Sequence, residues 1–377
     1  MKVAVTTLAF CVAALLALGL VMLYSSSVTQ VGAHYLMMQL IWCAFGFILC
    51  VTATALDYQW LKKFAGPVFI LALLLLLLVL VPHIGRKING ARRWFDFHGM
   101  RFQPSELGKI ALIILLAWYG DRYQRQMQTW KRGIIFPGAL IALMLGLVFV
   151  EPDRGTTILL AAVSGTMLLI AGVRWKYIVP PVLLGAAGLA VSILHDPMRL
   201  RRIFGWWDME QHKDGVGYQA YQAMIALGSG GWNGLGLGNG RQKLGFVPED
   251  HTDFIFSIIG EELGLIATLL VVLAFVVIAI CGIYIALRAR DPFGSLLAAG
   301  VTFLISLQAA INIGVVTSAL PNKGLPLPFI SYGGSNLLAM LTCVGLLFSI
   351  ARHAPAREKV RATAAVIDEN PFAAKAT

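Results

Sequence analysis

The chain has 377 residues, 58% of them hydrophobic and only 13% charged; a soluble domain carries charge on roughly a quarter of its residues, so most of this one must sit in lipid. The net charge of +11 does not indicate nucleic acid, because the Lys and Arg cluster at the ends of apolar runs, where membrane topology places them. Five cysteines stand singly inside apolar runs, without the spacing of a zinc site or a disulfide framework, and read as small packing residues.

Taken in order, apolar runs fall at 8–24, 36–56, 65–81, 104–119, 133–150, 156–173, 177–194, 254–287, 293–319 and 329–351. The first lacks a small-residue cleavage site and is long enough to span, so it is expected to stay as a helix. The pattern predicts an all-α membrane domain of about ten helices over 1–354, with both termini on one side. Lys62, Lys63, the basic residues of 122–132, Arg174, Lys176, Arg288, Arg290 and the tail share that side, which the positive-inside rule makes the cytoplasm. Arg86, Lys87, Arg92, Arg93 and Arg101 fall on the other side against the rule, around a turn signal at Asn89-Gly90. An anionic ligand outside is one reason for such an exception; headgroup contact by snorkelling side chains is the plainer one.

The longest polar stretch, 195–252, is predicted to lie outside, and loops of that length are usually functional. It holds Arg199, Arg201, Arg202, Trp206 and Trp207, then the Gly-rich GSGGWNGLGLGNGRQK at 228–243, suited to irregular backbone or short interfacial helices. It ends in Glu249, Asp250 and Asp253 at the mouth of an apolar helix that also contains Glu261 and Glu262. Carboxylates are costly there, which makes function the default reading. A Pro/Gly-rich hairpin, LPNKGLPLPFISYGGS at 320–335, follows; such backbone is tolerated at membrane depth only where protein or a water-filled cavity satisfies it. The tail 355–377 is Ala-rich and charged, without apolar period, and is expected to be disordered.

At PEDHTDFIF with the following GEELG, and at FQPSELGK, EPDRGTT and LPNKGLPLPFISYGGSNLL, the chain resembles the SEDS family of FtsW and RodA proteins, its GNGRQK and hairpin closer to the FtsW branch. The resemblance spans nearly the whole chain. It implies a ten-helix glycosyltransferase of the bacterial cytoplasmic membrane that polymerises lipid II into peptidoglycan, with a class B penicillin-binding protein and other division or elongation membrane proteins as partners. It carries the family's essential acid onto Asp253, and its fourth-helix residues onto Trp94, Gln103, Pro104, Ser105, Glu106 and Lys109. Arg154 departs from the pattern, an apolar residue being commoner there.

Glycan extension needs a base for a sugar hydroxyl and positive charge for the departing pyrophosphate. Asp253 is the candidate base. The plainer alternative is that Thr252 caps the helix and Asp253 complements its dipole. Glu261 lies about two turns deeper than Asp253 and Glu262 about 100° away, so only one can share a cavity wall. Glu262 is expected to pair with a Lys or Arg on a neighbouring helix, and Glu261 is the candidate for a proton or ion path. Glu106 and Lys109 are either a structural pair within one helix or a polar wall of the substrate site. Ser105 is no serine nucleophile, since no His and Asp can be placed beside it. Arg93 and Arg202 are the candidate phosphate contacts of their segments, planar Arg forks suiting phosphate oxygens. Lys323 is a candidate second contact, in a hairpin with Ser331 that shapes the cavity. His251 is expected to pack in its loop rather than to bind metal. No cofactor is required, although a divalent cation, Mg2+ or Mn2+, bridging carboxylates and pyrophosphate stays open. Two rival readings stand beside the enzyme: a flippase for lipid II, which would need polar groups through the full depth, and a non-catalytic scaffold.

Overall fold

The computed structural model describes residues 1–354 apart from 28–31, 33, 89–90, 98–99 and 249–250. The expected disordered tail, the Asn89-Gly90 turn, Glu249 and Asp250 lie outside the described residues. The helices are α1 (Lys2–Ser27), α2 (His34–Ala55), α3 (Trp60–Leu80), α4 (Pro104–Arg122), α5 (Phe136–Val150), α6 (Arg154–Ile170), α7 (Trp175–Leu194), α8 (Pro197–Trp207), α9 (Tyr218–Ser229), α10 (Ile255–Leu287), α11 (Pro292–Val316) and α12 (Gly334–Arg352). Each of the ten apolar runs falls largely within one of them. Eight are long and apolar enough to cross a membrane: α1, α2, α3, α5 with the turn before it, α7, α10, α11 and α12. α6 is apolar but has 17 residues. α4 carries Glu106, Lys109, Asp121 and Arg122 among its 19 residues and is buried along almost its whole length.

Two features depart from the sequence reading. The basic segment after α3 is an antiparallel sheet, β1 (Arg86–Ile88), β2 (Ala91–Phe97) and β3 (Met100–Phe102), in that order. Alternation explains it: the pleat sends Ala91 and Phe95 inward, both buried, and Arg92 and Trp94 to the other face. Arg86 pairs with Asp96 across the sheet. The chain is therefore mostly rather than wholly α. Secondly, the long loop carries two helices, joined by turns at 208–217, before its irregular Gly-rich part. α8 starts where Asp196 accepts from the backbone N–H groups of Met198 and Arg199 and Pro197 takes the first helical position, an N-terminus written in the sequence.

The bundle centres on α4, α11 and α12. α2 packs along α12, α3 along α4, and α10 between α1 and α11. Outward side chains are apolar and exposed, among them Phe47, Leu74, Leu184 and Ile280, as lipid contact requires. At one end, Lys62 bridges Asp121 and Asp291 at 3.0 Å each, tying α3 to the ends of α4 and α11. At the opposite end gather the sheet, the turn between α5 and α6, the long loop and the 317–333 hairpin.

That end is fixed by a break in α10. Gly264 has φ 78° and ψ −173°, which interrupts the helix ladder. The freed groups are taken by the Gly-rich loop. The carbonyls of Glu261 and Glu262 accept from the N–H groups of Leu235 and Gly236, and the N–H groups of Leu265 and Ile266 donate to the carbonyls of Gly231 and Trp232. Four hydrogen bonds thus close a gap that would be costly in lipid. Only glycine fits: a Cβ at Gly264 would lie 2.4 Å from Gly234 N and 2.5 Å from Trp232 O. Gly264→Ala is expected to destabilise the fold by more than about 1 kcal/mol, read as a lower midpoint in a thermal melt of the detergent-solubilised protein.

Candidate active site

Asp253 sits in the turn just before α10, half-buried. The residue preceding the helix is Phe254, which makes no side-chain cap, so Thr252 does not cap it as the plainer sequence reading held. The turn is instead held by its carbonyls. His251 O accepts from Tyr332 N at 2.9 Å, Thr252 O from Ser331 Oγ at 2.6 Å, and Asp253 O from Asn312 Nδ2 at 2.7 Å. Ser331 Oγ also accepts from Leu327 N at 2.8 Å, so Ser331 knots the hairpin to the turn rather than presenting itself to a ligand. His251 packs in the loop as expected, stacked on Tyr35 with ring centroids 4.6 Å apart.

The Asp253 carboxylate lies against the hairpin where the hairpin has no side chain: a Cβ at Gly324 would stand 2.5 Å from Asp253 Oδ2. The next residue back is Lys323, half-buried, whose ammonium is pulled below the ordinary lysine range by burial, against the pull of the Asp153 carboxylate nearby. Asp153 caps α6 through Thr156 N at 3.1 Å and accepts from Gln103 Nε2 at 3.2 Å, while Gln103 N donates to Ser335 Oγ at 3.0 Å. Two of the predicted residues, Lys323 and Gln103, thereby share the neighbourhood of Asp153, and Asp253 meets the same hairpin at Gly324.

Beneath them is a closed polar centre. Lys109 is fully buried and Glu106 nearly so; Lys109 Nζ lies 2.8 Å from Glu106 Oε2 and donates to Gln308 Oε1 at 2.9 Å. Asn336 Nδ2 donates to Glu106 Oε2 at 3.1 Å, and Gln308 Nε2 to Pro326 O at 2.8 Å. The pair thus joins α4, α11, α12 and the hairpin. Ser105 is fully buried, its hydroxyl without a partner among the described residues.

Glu261 and Glu262 are both architectural, which corrects the ion-path reading of Glu261. Glu261 accepts from Arg241 N at 2.8 Å and from Gln242 N at 3.2 Å. Glu262 meets Lys243 Nζ at 2.6 Å and accepts from Ser25 Oγ at 2.7 and 2.9 Å and from Gly238 N at 3.1 Å. Its pairing is the expected one, but the lysine comes from the loop and not from a neighbouring helix.

Of the basic candidates, Arg93 clasps the turn between α5 and α6, donating through Nε to Glu151 O at 2.7 Å and through Nη2 to Pro152 O at 2.6 Å. Trp94 is half-buried on β2, and Arg202 is exposed on α8, with no described contact to the hairpin. Arg154 reaches Ser192 on α7 and lies over Phe149, so the residue that departs from the family pattern joins α6 to α7. Glu151 is fully buried, and neither carboxylate oxygen has a hydrogen-bond partner among the described residues. Burial, reinforced by Asp153 and opposed by Arg93, pushes its carboxyl up to about 8. No group of three or more His, Cys, Asp or Glu among the described residues is arranged to hold a metal ion.

Sequence reasoning missed Lys243, Ser25, Gln308, Asn312 and Asn336. The last three carried a usable signal, being amides inside apolar membrane runs.

The fold and site define a multi-pass helical membrane protein with an acid set against a Pro/Gly-rich hairpin at one end of the bundle. The chain belongs to the FtsW/RodA/SpoVE family of cell cycle proteins, whose pattern it matches over residues 6–356. It is 40% identical to the probable peptidoglycan glycosyltransferase FtsW of Trichlorobacter lovleyi over 90% of this chain and 91% of the relative. The same identity links it to the probable FtsW of Coxiella burnetii over 90% and 94%. Among solved structures, it superposes with a TM-score of 0.78 at 28% identity on a chain from a peptidoglycan synthase complex that coordinates polymerization and crosslinking, covering 92% of this chain and 96% of that one. Rod shape determining protein RodA of Thermus thermophilus follows at 0.70 and 28%, with coverage of 93% and 97%.

Two measurements test this account of the buried charges. Glu262→Met leaves Lys243 buried without its carboxylate and is expected to cost about 3–5 kcal/mol, whereas Glu262→Met with Lys243→Met recovers most of that loss; thermal melts of both variants check it. Glu151 holds its proton in the folded protein at pH values where the unfolded chain has released it. Stability is therefore expected to fall as pH rises from the ordinary carboxylate range to about 8 and to level off above. Glu151→Gln should flatten that slope and melt higher than the wild type at the alkaline end.

Proposed function

We propose that this protein is a peptidoglycan glycosyltransferase of the bacterial inner membrane, of the FtsW type, which polymerises lipid II on the outer face. The observation that carries the reading is the Asp253 carboxylate, half-buried and set against Gly324 beside Lys323 at the end where the polar loops gather. A hydroxyl of the acceptor sugar attacks the anomeric carbon of the donor. The new carbon–oxygen bond forms as the bond to the polyprenyl pyrophosphate breaks, and Asp253 takes the hydroxyl proton. Lys323 faces the charge that develops on the leaving group, in partly desolvated surroundings where that attraction is strong. The order of events is a single displacement with inversion, and no covalent enzyme intermediate is needed.

The relatives named as glycosyltransferases support the chemistry. The solved synthase complex supports a penicillin-binding partner that crosslinks the new strand. The outward orientation of the site rests on the positive-inside pattern of the loops. A divalent cation enters the reading only as an addition to Lys323, to be tested by chelation. The flippase reading loses its main candidates, since Glu106, Lys109, Glu261 and Glu262 are each engaged in fixed partnerships.

Asp253→Asn should abolish glycan formation from lipid II while the variant folds and binds its partner like the wild type. Wild-type-like polymer from that variant would sink the assignment of the base. Lipid II movement in sealed vesicles without any polymer would favour the flippase.

A further inference from the structure

The three carbonyls of 251–253 are held by two different kinds of anchor. Those of His251 and Thr252 are taken by Tyr332 and Ser331, which belong to the hairpin segment itself. The carbonyl of Asp253 is taken by Asn312, which stands on α11 in the interior and is 1% exposed. The same nitrogen gives its other hydrogen to Leu325 O, also at 2.7 Å. One carboxamide thus staples the turn of the acid to the hairpin, and both are referred to a buried helix. Its orientation is dictated, since turning the amide round would set Oδ1 against two carbonyl oxygens.

One turn earlier on α11, Gln308 makes the matching connection. Its amide nitrogen holds Pro326 O and its oxygen receives Lys109. Residues four apart share a helix face. A single face of α11 therefore registers both charged centres, the Glu106–Lys109 pair and Asp253, against the same short stretch of hairpin, from 324 to 327. The hairpin's other knot, at Ser331, leaves Asp253 itself untouched.

We infer that Asn312 is a positioning residue for the transferase reaction: by clamping the Asp253 carbonyl it sets where the carboxylate stands against Gly324 of the hairpin. The inference rests on the reading of Asp253 as the base. Asn312 touches no reacting atom, so its loss should leave lipid II binding alone and slow the chemical step. A displacement of about 1 Å in a catalytic group costs roughly 100-fold in rate.

The test uses the full chain in lipid vesicles with lipid II as substrate, comparing wild type, Asp253→Asn, Asn312→Leu and Asn312→Ser, with turnover expressed per folded molecule from a thermal melt. Leu matches the shape of Asn without donating; Ser keeps one donor. Asn312→Leu should lose about 100-fold in kcat with KM unchanged, and Asn312→Ser should fall between it and the wild type. Turnover per folded molecule equal to the wild type, or a raised KM with unchanged kcat, overturns the inference while leaving Asp253 as the base. If Asn312→Leu does not fold, Asn312→Ser decides by the same split. Full activity of Asp253→Asn would bring down the reading of the base, and this inference with it.

Discussion

The structure depends on satisfying backbone at membrane depth. An unpaired N–H or C=O in lipid costs several kcal/mol, so α10 can break at Gly264 only because another strand of backbone fits the gap. The loop from Gly231 to Gly236 does so with four hydrogen bonds. Once that docking is made, the following residues have little freedom. Arg241 and Gln242 come onto the Glu261 carboxylate and Lys243 onto Glu262. The loop is thereby fixed as far as Lys243, on the same helix whose mouth carries Asp253.

The charges of the chain sort into two populations. Glu106 with Lys109, and Glu262 with Lys243, are buried, paired and further hydrogen-bonded, as a charge in a low-dielectric interior must be. Such groups fasten helices together, and their saturation leaves them poorly suited to carry a passing proton or headgroup. Asp253 and Lys323 are only half-buried, at the polar end, in segments tied down through backbone carbonyls. The contrast separates architecture from chemistry within one set of acidic and basic residues, and it does so by burial rather than by residue type.

Much of this was legible in the sequence. The helical membrane architecture followed from apolar runs of spanning length, and the tie of Glu262 to a lysine followed from the cost of an unpaired carboxylate. Asp253 stood out by its place at a helix mouth. Other parts were illegible for physical reasons. The sheet at 86–102 is too short for its alternation to outweigh its many arginines. Glu261 looked like a path residue because its partners are backbone amides of a loop twenty residues upstream, and backbone donors leave no mark in a sequence. Lys243 was hidden by sitting in a polar loop, where a lysine is unremarked; only the docking of that loop buries it. Arg93 was read by its charge, whereas the fold uses its geometry to clasp two carbonyls.

The choice of amides to hold the site has its own logic. A carboxylate that must accept a proton is weakened as a base by any cation fixed beside it, which lowers its pKa, and by direct hydrogen bonds to its charged oxygens. Asn312 adds neither, since it grips the backbone carbonyl of Asp253 in place of the side chain, and Gln308 likewise steadies the hairpin through Pro326 O. Both anchors are neutral, so they fix the backbone of the turn and of the hairpin without adding charge to the site. Lys323 follows the same division: its segment is anchored through the carbonyls of Leu325 and Pro326, and its ammonium stands within the field of Asp153.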